Sequence, residues 1–152
     1  MTTGYISSTE FIKGAKESSL AKSESSDCVV RAIASATGMD YDTSHQFVKE
    51  KFKRKNNKGT FGFHYGMNMF SKNNETINGK KVEIITEEHN TMLYYVMVKG
   101  VKTLRKTTTG SFIKKYPKGT YVVTVRGHAF TIKDGVVIGN IDDGKKMKKV
   151  IQ

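Results

Sequence analysis

The spacing of apolar residues changes along the chain, and the changes mark out its elements. In the polar N-terminal stretch, Ser8-Thr9-Glu10-Phe11-Ile12-Lys13 predicts a short helix with a hydroxyl cap and an acidic first turn, followed by a serine-rich link over 17–26. Apolar residues then recur at i, i+4 and i+7 as Val29, Ile33 and Ala36, the signature of an amphipathic helix starting near Cys28. Cys28, Arg31 and Ser35 fall off its most apolar side, and Gly38 can end it in a left-handed conformation. Asp40 or Asp42 can cap a second helix running through Phe47 and Val48 to about Phe52. Over 59–73, glycines and aromatics alternate without a clean period, which predicts a loop with a helical turn.

Beyond the turn pair Asn78-Gly79, the alternation of 81–86 predicts a half-buried strand, and 94–98 reads either as a strand or as the start of a helix. A short capped helix is expected over 108–116, ended before Pro117. From Gly119 the residues are β-branched and aromatic, and strands over 120–126, 128–133 and 136–140 around Asp134-Gly135 predict an antiparallel meander. Two registers are open. A three-residue loop over 133–135 places His128 opposite Asn140 on one face, whereas a two-residue Asp-Gly loop places it opposite Ile141 and turns Asn140 away.

Composition narrows the possibilities. The 152 residues are expected to form a single domain, 1–152. There is no apolar leader and no run long enough to span a bilayer, so a cytoplasmic protein without a membrane partner is expected, and the lone cysteine agrees with a reducing compartment. No metal-ligand spacing, phosphate-binding glycine loop or dinucleotide fingerprint occurs, so neither metal nor cofactor is expected. The net charge of +12 comes from 26 Lys and Arg against 14 Asp and Glu, concentrated at 51–58, 102–106 and 145–149. Solvated lysine loops explain it most simply; nucleic acid is the alternative partner, with Phe61, Phe63 and Tyr65 beside the first basic run as stacking candidates.

The chemistry-bearing residues are Cys28, His128 and Asn140. A thiol at a helix N-terminus feels the positive end of the helix dipole, which favours thiolate. A histidine at the head of a strand and an asparagine across the following turn complete a Cys-His-Asn order suited to acyl transfer. Arg31, one turn on, is expected to add a small favourable field. His45 and His64 read as surface or satisfied core residues and His89, after Glu87-Glu88, as exposed, with His64 the reserve base.

The segments Ser26-Asp27-Cys28-Val29-Val30-Arg31-Ala32-Ile33-Ala34, Phe112-Ile113-Lys114-Lys115-Tyr116-Pro117-Lys118-Gly119-Thr120-Tyr121-Val122-Val123 and Gly127-His128-Ala129-Phe130-Thr131-Ile132-Lys133-Asp134-Gly135-Val136-Val137, in that order, resemble a group of small papain-like cysteine-peptidase-fold proteins, many encoded by bacterial viruses. The resemblance implies an α+β fold in which the cysteine helix packs on a small antiparallel β-sheet bearing the histidine. It also implies a protein or peptide substrate, residence in the host cytoplasm or a virion, and Asn140 or Asp142 as third site residue. Such enzymes commonly place a glutamine before the cysteine as oxyanion donor; no Gln precedes Cys28, leaving its backbone N–H and Ser23, Ser25 or Ser26. Two functions follow: a thiol hydrolase, or a catalytically silent module of the same fold that serves viral assembly or binds a host factor or nucleic acid.

Overall fold

The computed structural model describes residues 4–60, 63–83, 94–98, 101–105, 109–125 and 128–140. In chain order these form β1 (Tyr5–Ser7), α1 (Ser8–Phe11), α2 (Ser19–Ser23), α3 (Cys28–Thr37), α4 (Tyr41–Lys51), α5 (Phe63–Lys72), β2 (Thr76–Ile77), β3 (Lys80–Lys81), β4 (Tyr94–Val98), β5 (Val101–Arg105), α6 (Thr109–Lys115), β6 (Thr120–Val125), β7 (His128–Lys133) and β8 (Val136–Gly139). Helices and small sheets are mixed in an α+β arrangement.

The largest sheet is four-stranded, in the order β1-β8-β7-β6. The last three strands are the expected antiparallel meander, but β1 joins β8 in parallel, so the sheet is mixed and not purely antiparallel. Tyr5 pairs with Val137, and the N–H of Val137 donates to the carbonyl of Gly4 at 2.9 Å. The β7–β8 connection is the two-residue turn. Thr131 pairs with Ile138 and Lys133 with Val136, leaving Asp134 (φ 49°) and Gly135 (φ 79°) in the left-handed region that such a turn requires.

This register divides the sheet into two apolar faces. Ala129 and Val122 pack into a core with α3, while Phe130, Ile132, Val123 and Val137 pack with Phe112 of α6. Helix α3 is more deeply embedded than its predicted stripe. Val29, Val30, Ala32, Ile33, Ala34, Ser35 and Thr37 are all buried, whereas Ala36 is only half-buried. Its small residues allow close neighbours on two sides. Ser44 of α4 donates to the carbonyl of Val30 and Thr131 of β7 to that of Ala32, each at 2.7 Å. Gly38 (φ 81°) ends the helix by donating to Ala34, and Asp40 caps α4 by accepting from the N–H of Thr43 at 2.7 Å.

Two segments depart from expectation, and a third takes one of its two expected forms. The serine-rich link contains α2, whose Ser18 cap accepts from the N–H of Ala21 at 3.1 Å. In place of a loop with a helical turn, α5 is a ten-residue helix that buries Phe63 and Phe70, with Gly66 where a Cβ would collide with the ring of Phe52. The pair β4–β5 makes 94–98 a strand and converts much of the basic run 102–106 into its partner. The hairpin at Asn78-Gly79 forms, but β3 stops at Lys81, so Val82 and Glu83 of the expected strand 81–86 are not in it; its residues 84–86, the run 145–149, Phe61, His89, Asp142 and Asp143 lie outside the described residues, as does the side chain of His64.

Candidate active site

Cys28 is the first residue of α3 and His128 the first of β7. Their side chains hydrogen-bond to each other. The half-buried thiol is pushed up in pKa by burial, but the His128 hydrogen bond, the N–H of Ala129, the His128 charge and the N–H of Val29 outweigh burial, so the thiol ionises below its ordinary value. His128 shares a sheet face with Phe130, over which its ring stacks at a centroid separation of 5.8 Å. The phenyl ring fixes the imidazole from one side while the sulfur meets it from another.

Cys28, His128 and Asn140 line one cavity of about 250 Å³ together with Ser26, Asp27 and Arg31. Asn140 arrives there by a route the register alone excludes. In the two-residue turn it would have pointed away from His128 had the strand continued, but β8 ends at Gly139, and Asn140 lies just beyond the ladder.

The bend ahead of Cys28 is held by a cluster that sequence spacing does not reveal. Glu24, with a side chain only 3% exposed, meets Arg54 Nη1 at 2.5 Å and His45 Nε2 at 2.9 Å and accepts from the N–H of Asn57 at 2.8 Å. Burial pushes the Glu24 carboxyl up, yet Arg54, the Asn57 N–H and His45 together hold it below the usual range. Arg54 Nη2 also donates to the carbonyl of Ser25, and the N–H of Ser25 donates to the Asn57 side chain at 3.0 Å. These bonds fix the chain immediately before Ser26, whose φ of 56° is unusual for a residue with a Cβ. Within the basic run 51–58, Arg54 is thus a buried structural residue and not a solvated charge.

Asp27 and Arg31 form a second brace. Asp27 Oδ2 accepts from Arg31 Nε at 3.0 Å and from the hydroxyl of the fully buried Tyr41 at 2.6 Å. Arg31 Nη1 donates to Ser8 and Thr9, and the guanidinium lies 5.4 Å from the centroid of the Tyr41 ring. The expected field of Arg31 on the thiolate is therefore largely neutralised by Asp27; the residue's role is to tie α1 to α3. Of the serines considered as oxyanion donors, Ser23 is exposed and donates to the carbonyl of Leu20. Ser26 lines the cavity, as does Cys28, the first residue of α3, whose N–H precedes the first intrahelical bond, Arg31 to Asp27.

Among the described residues, no cluster of three or more His, Cys, Asp or Glu side chains is arranged to hold a metal ion, and no helix is long and apolar enough to cross a membrane. No family model, curated protein or solved structure matches the chain.

Proposed function

We propose that the protein is a thiol hydrolase of papain-like fold, a cysteine peptidase or amidase using Cys28, His128 and Asn140. The observation that carries this reading is the hydrogen bond between Cys28 and His128, with the thiol ionising below its ordinary value at the wall of an open cavity. In the first half-reaction His128 holds the thiol proton, the thiolate of Cys28 attacks the amide carbon, and a tetrahedral oxyanion forms. Collapse transfers the His128 proton to the departing amine and leaves an acyl thioester on Cys28. Water, deprotonated by His128, then releases the acid and restores the thiol. Asn140 orients the imidazole, and the Cys28 N–H with the Ser26 hydroxyl serves the oxyanion.

The absence of a glutamine before Cys28 favours a second reading, a silent module that retains the site without turnover. Intact-mass analysis after addition of p-nitrophenyl acetate separates the two. A hydrolase acquires one acetyl group on Cys28, loses it again and keeps releasing nitrophenol, whereas Cys28→Ser does neither. A silent module stalls as a stable acetyl adduct.

A further inference from the structure

A second concavity of about 900 Å³ adjoins the Cys28 cavity, and Gly59 lines both. Its floor is formed by Phe52, Phe70 and Met69, and Tyr65 stands at its side with 74% of its surface exposed. Lys51, Lys53, Lys55 and Lys58 also line it, against Glu75, the single acidic residue among the described lining residues. A groove with an apolar floor and a lysine rim is built for a ligand that offers an apolar side chain flanked by negative charge.

Two classes of macromolecule carry negative charge beside flat or apolar groups. A single-stranded nucleic acid needs successive exposed aromatic faces on which bases stack. Here Phe52 and Phe70 are 5% and 8% exposed and packed against each other at 6.0 Å, which leaves Tyr65 as the only exposed ring among the described lining residues. The floor presents a recess for an inserted side chain and not a stacking platform. Continuity with the thiol cavity through Gly59 favours a polypeptide further, because a chain crossing Gly59 brings an amide carbonyl to Cys28 and a nucleic acid brings none.

We propose that this groove is the substrate-docking site of the enzyme: it binds an acidic polypeptide segment, anchoring one aromatic or long aliphatic side chain on Phe52, Met69 and Phe70 while Lys51, Lys55 and Lys58 pair with flanking Asp or Glu. The inference rests on the hydrolase reading, since it assigns the substrate class of that site. Helix α5 and the 53–58 loop thereby acquire a purpose. The buried Glu24–Arg54 pair sets the loop, and the loop sets the lysines.

The test is fluorescence anisotropy with Cys28→Ser protein, which binds without cleaving, and three probes: fluorescein-labelled Glu-Asp-Glu-Phe-Asp-Glu-Asp, the same peptide with Lys in place of each acid, and an oligothymidylate of similar charge. The acidic peptide is expected to bind, and the basic one not to. Combined Lys51→Glu, Lys55→Glu and Lys58→Glu substitutions should weaken binding by about tenfold or more, and Tyr65→Ala and Met69→Ala should weaken it at unchanged salt dependence. Equal binding of the acidic and basic peptides, indifference to the lysine reversals, or tighter binding of oligothymidylate through the same lysines overturns the proposal. Acidic-peptide binding without any ester turnover by the wild type leaves the groove standing and removes the hydrolase; turnover without peptide binding does the reverse.

Discussion

The hydroxyl of Thr131 donates to the backbone carbonyl of Ala32 at 2.7 Å, joining residues 99 positions apart in a fully buried contact between β7 and α3. Ala32 lies one turn after Cys28 and Thr131 three residues after His128. This bond therefore sets the spacing of the helix that carries the thiol against the strand that carries the imidazole. Ser44 makes the corresponding bond to Val30 from the α4 side, remote from His128.

Thr131→Val keeps the shape and removes the donor, so stability should fall by about 1 kcal/mol in urea unfolding. Ser44→Ala should cost a similar amount. The two should differ at the site: Thr131→Val raises the pH at which Cys28 becomes reactive, and Ser44→Ala leaves it unchanged. Equal effects on reactivity would show that the strand-to-helix bond does not position the pair.

Acid stability should follow Glu24. Its folded pKa lies below the unfolded value, so its contribution is complete above about pH 4.3 and is lost as pH falls through the folded pKa. Glu24→Gln leaves Arg54 buried without its counter-charge and should cost about 3–5 kcal/mol at neutral pH. The variant's urea midpoint should also fall less steeply than the wild type's from pH 5 to pH 3. Parallel acid limbs would show that other carboxylates carry the acid transition.

Gly66→Ala tests why α5 carries a glycine in its middle. Helix propensity alone favours alanine by about 1 kcal/mol. The added Cβ, however, meets the ring of Phe52, which is 5% exposed and packed against Phe47, Phe63 and Phe70. Overpacking of this kind costs about 1–3 kcal/mol, so the variant should be no more stable than the wild type and should lose affinity in the groove floored by Phe52. A clear rise in thermal midpoint would contradict the assigned contact.

The parts of the fold readable from sequence are those with local causes. Val29 and Ile33 announce α3, Gly38 its end, and Asp134-Gly135 the hairpin, because periodicity, a left-handed stop and a turn pair each act within a few residues. The parts not readable depend on distant partners. β1 has three residues and exists through Val137, and α5 is disguised by Gly66, whose reason is Phe52. Glu24, His45 and Arg54 show no motif because they meet only after α2, α4 and the 53–58 loop are in place. Asn140 illustrates the same limit in the site. Both registers were legible; the end of β8 at Gly139 was not.

The central claim is that His128 activates Cys28. Its most direct test is the rate of iodoacetamide alkylation of Cys28 from pH 5 to pH 10, in wild type and in His128→Ala. An ordinary thiol titrates near about pH 8.5. The wild type should show an apparent pKa below that value, because the His128 hydrogen bond and charge and the Ala129 N–H outweigh burial. Removal of the imidazole leaves burial, which raises the pKa, and takes away its main opponent, so the His128→Ala curve should move to higher pH and alkylation near pH 6–7 should slow. Coincident curves would contradict the claim: Cys28 would then be a half-buried thiol that His128 does not activate.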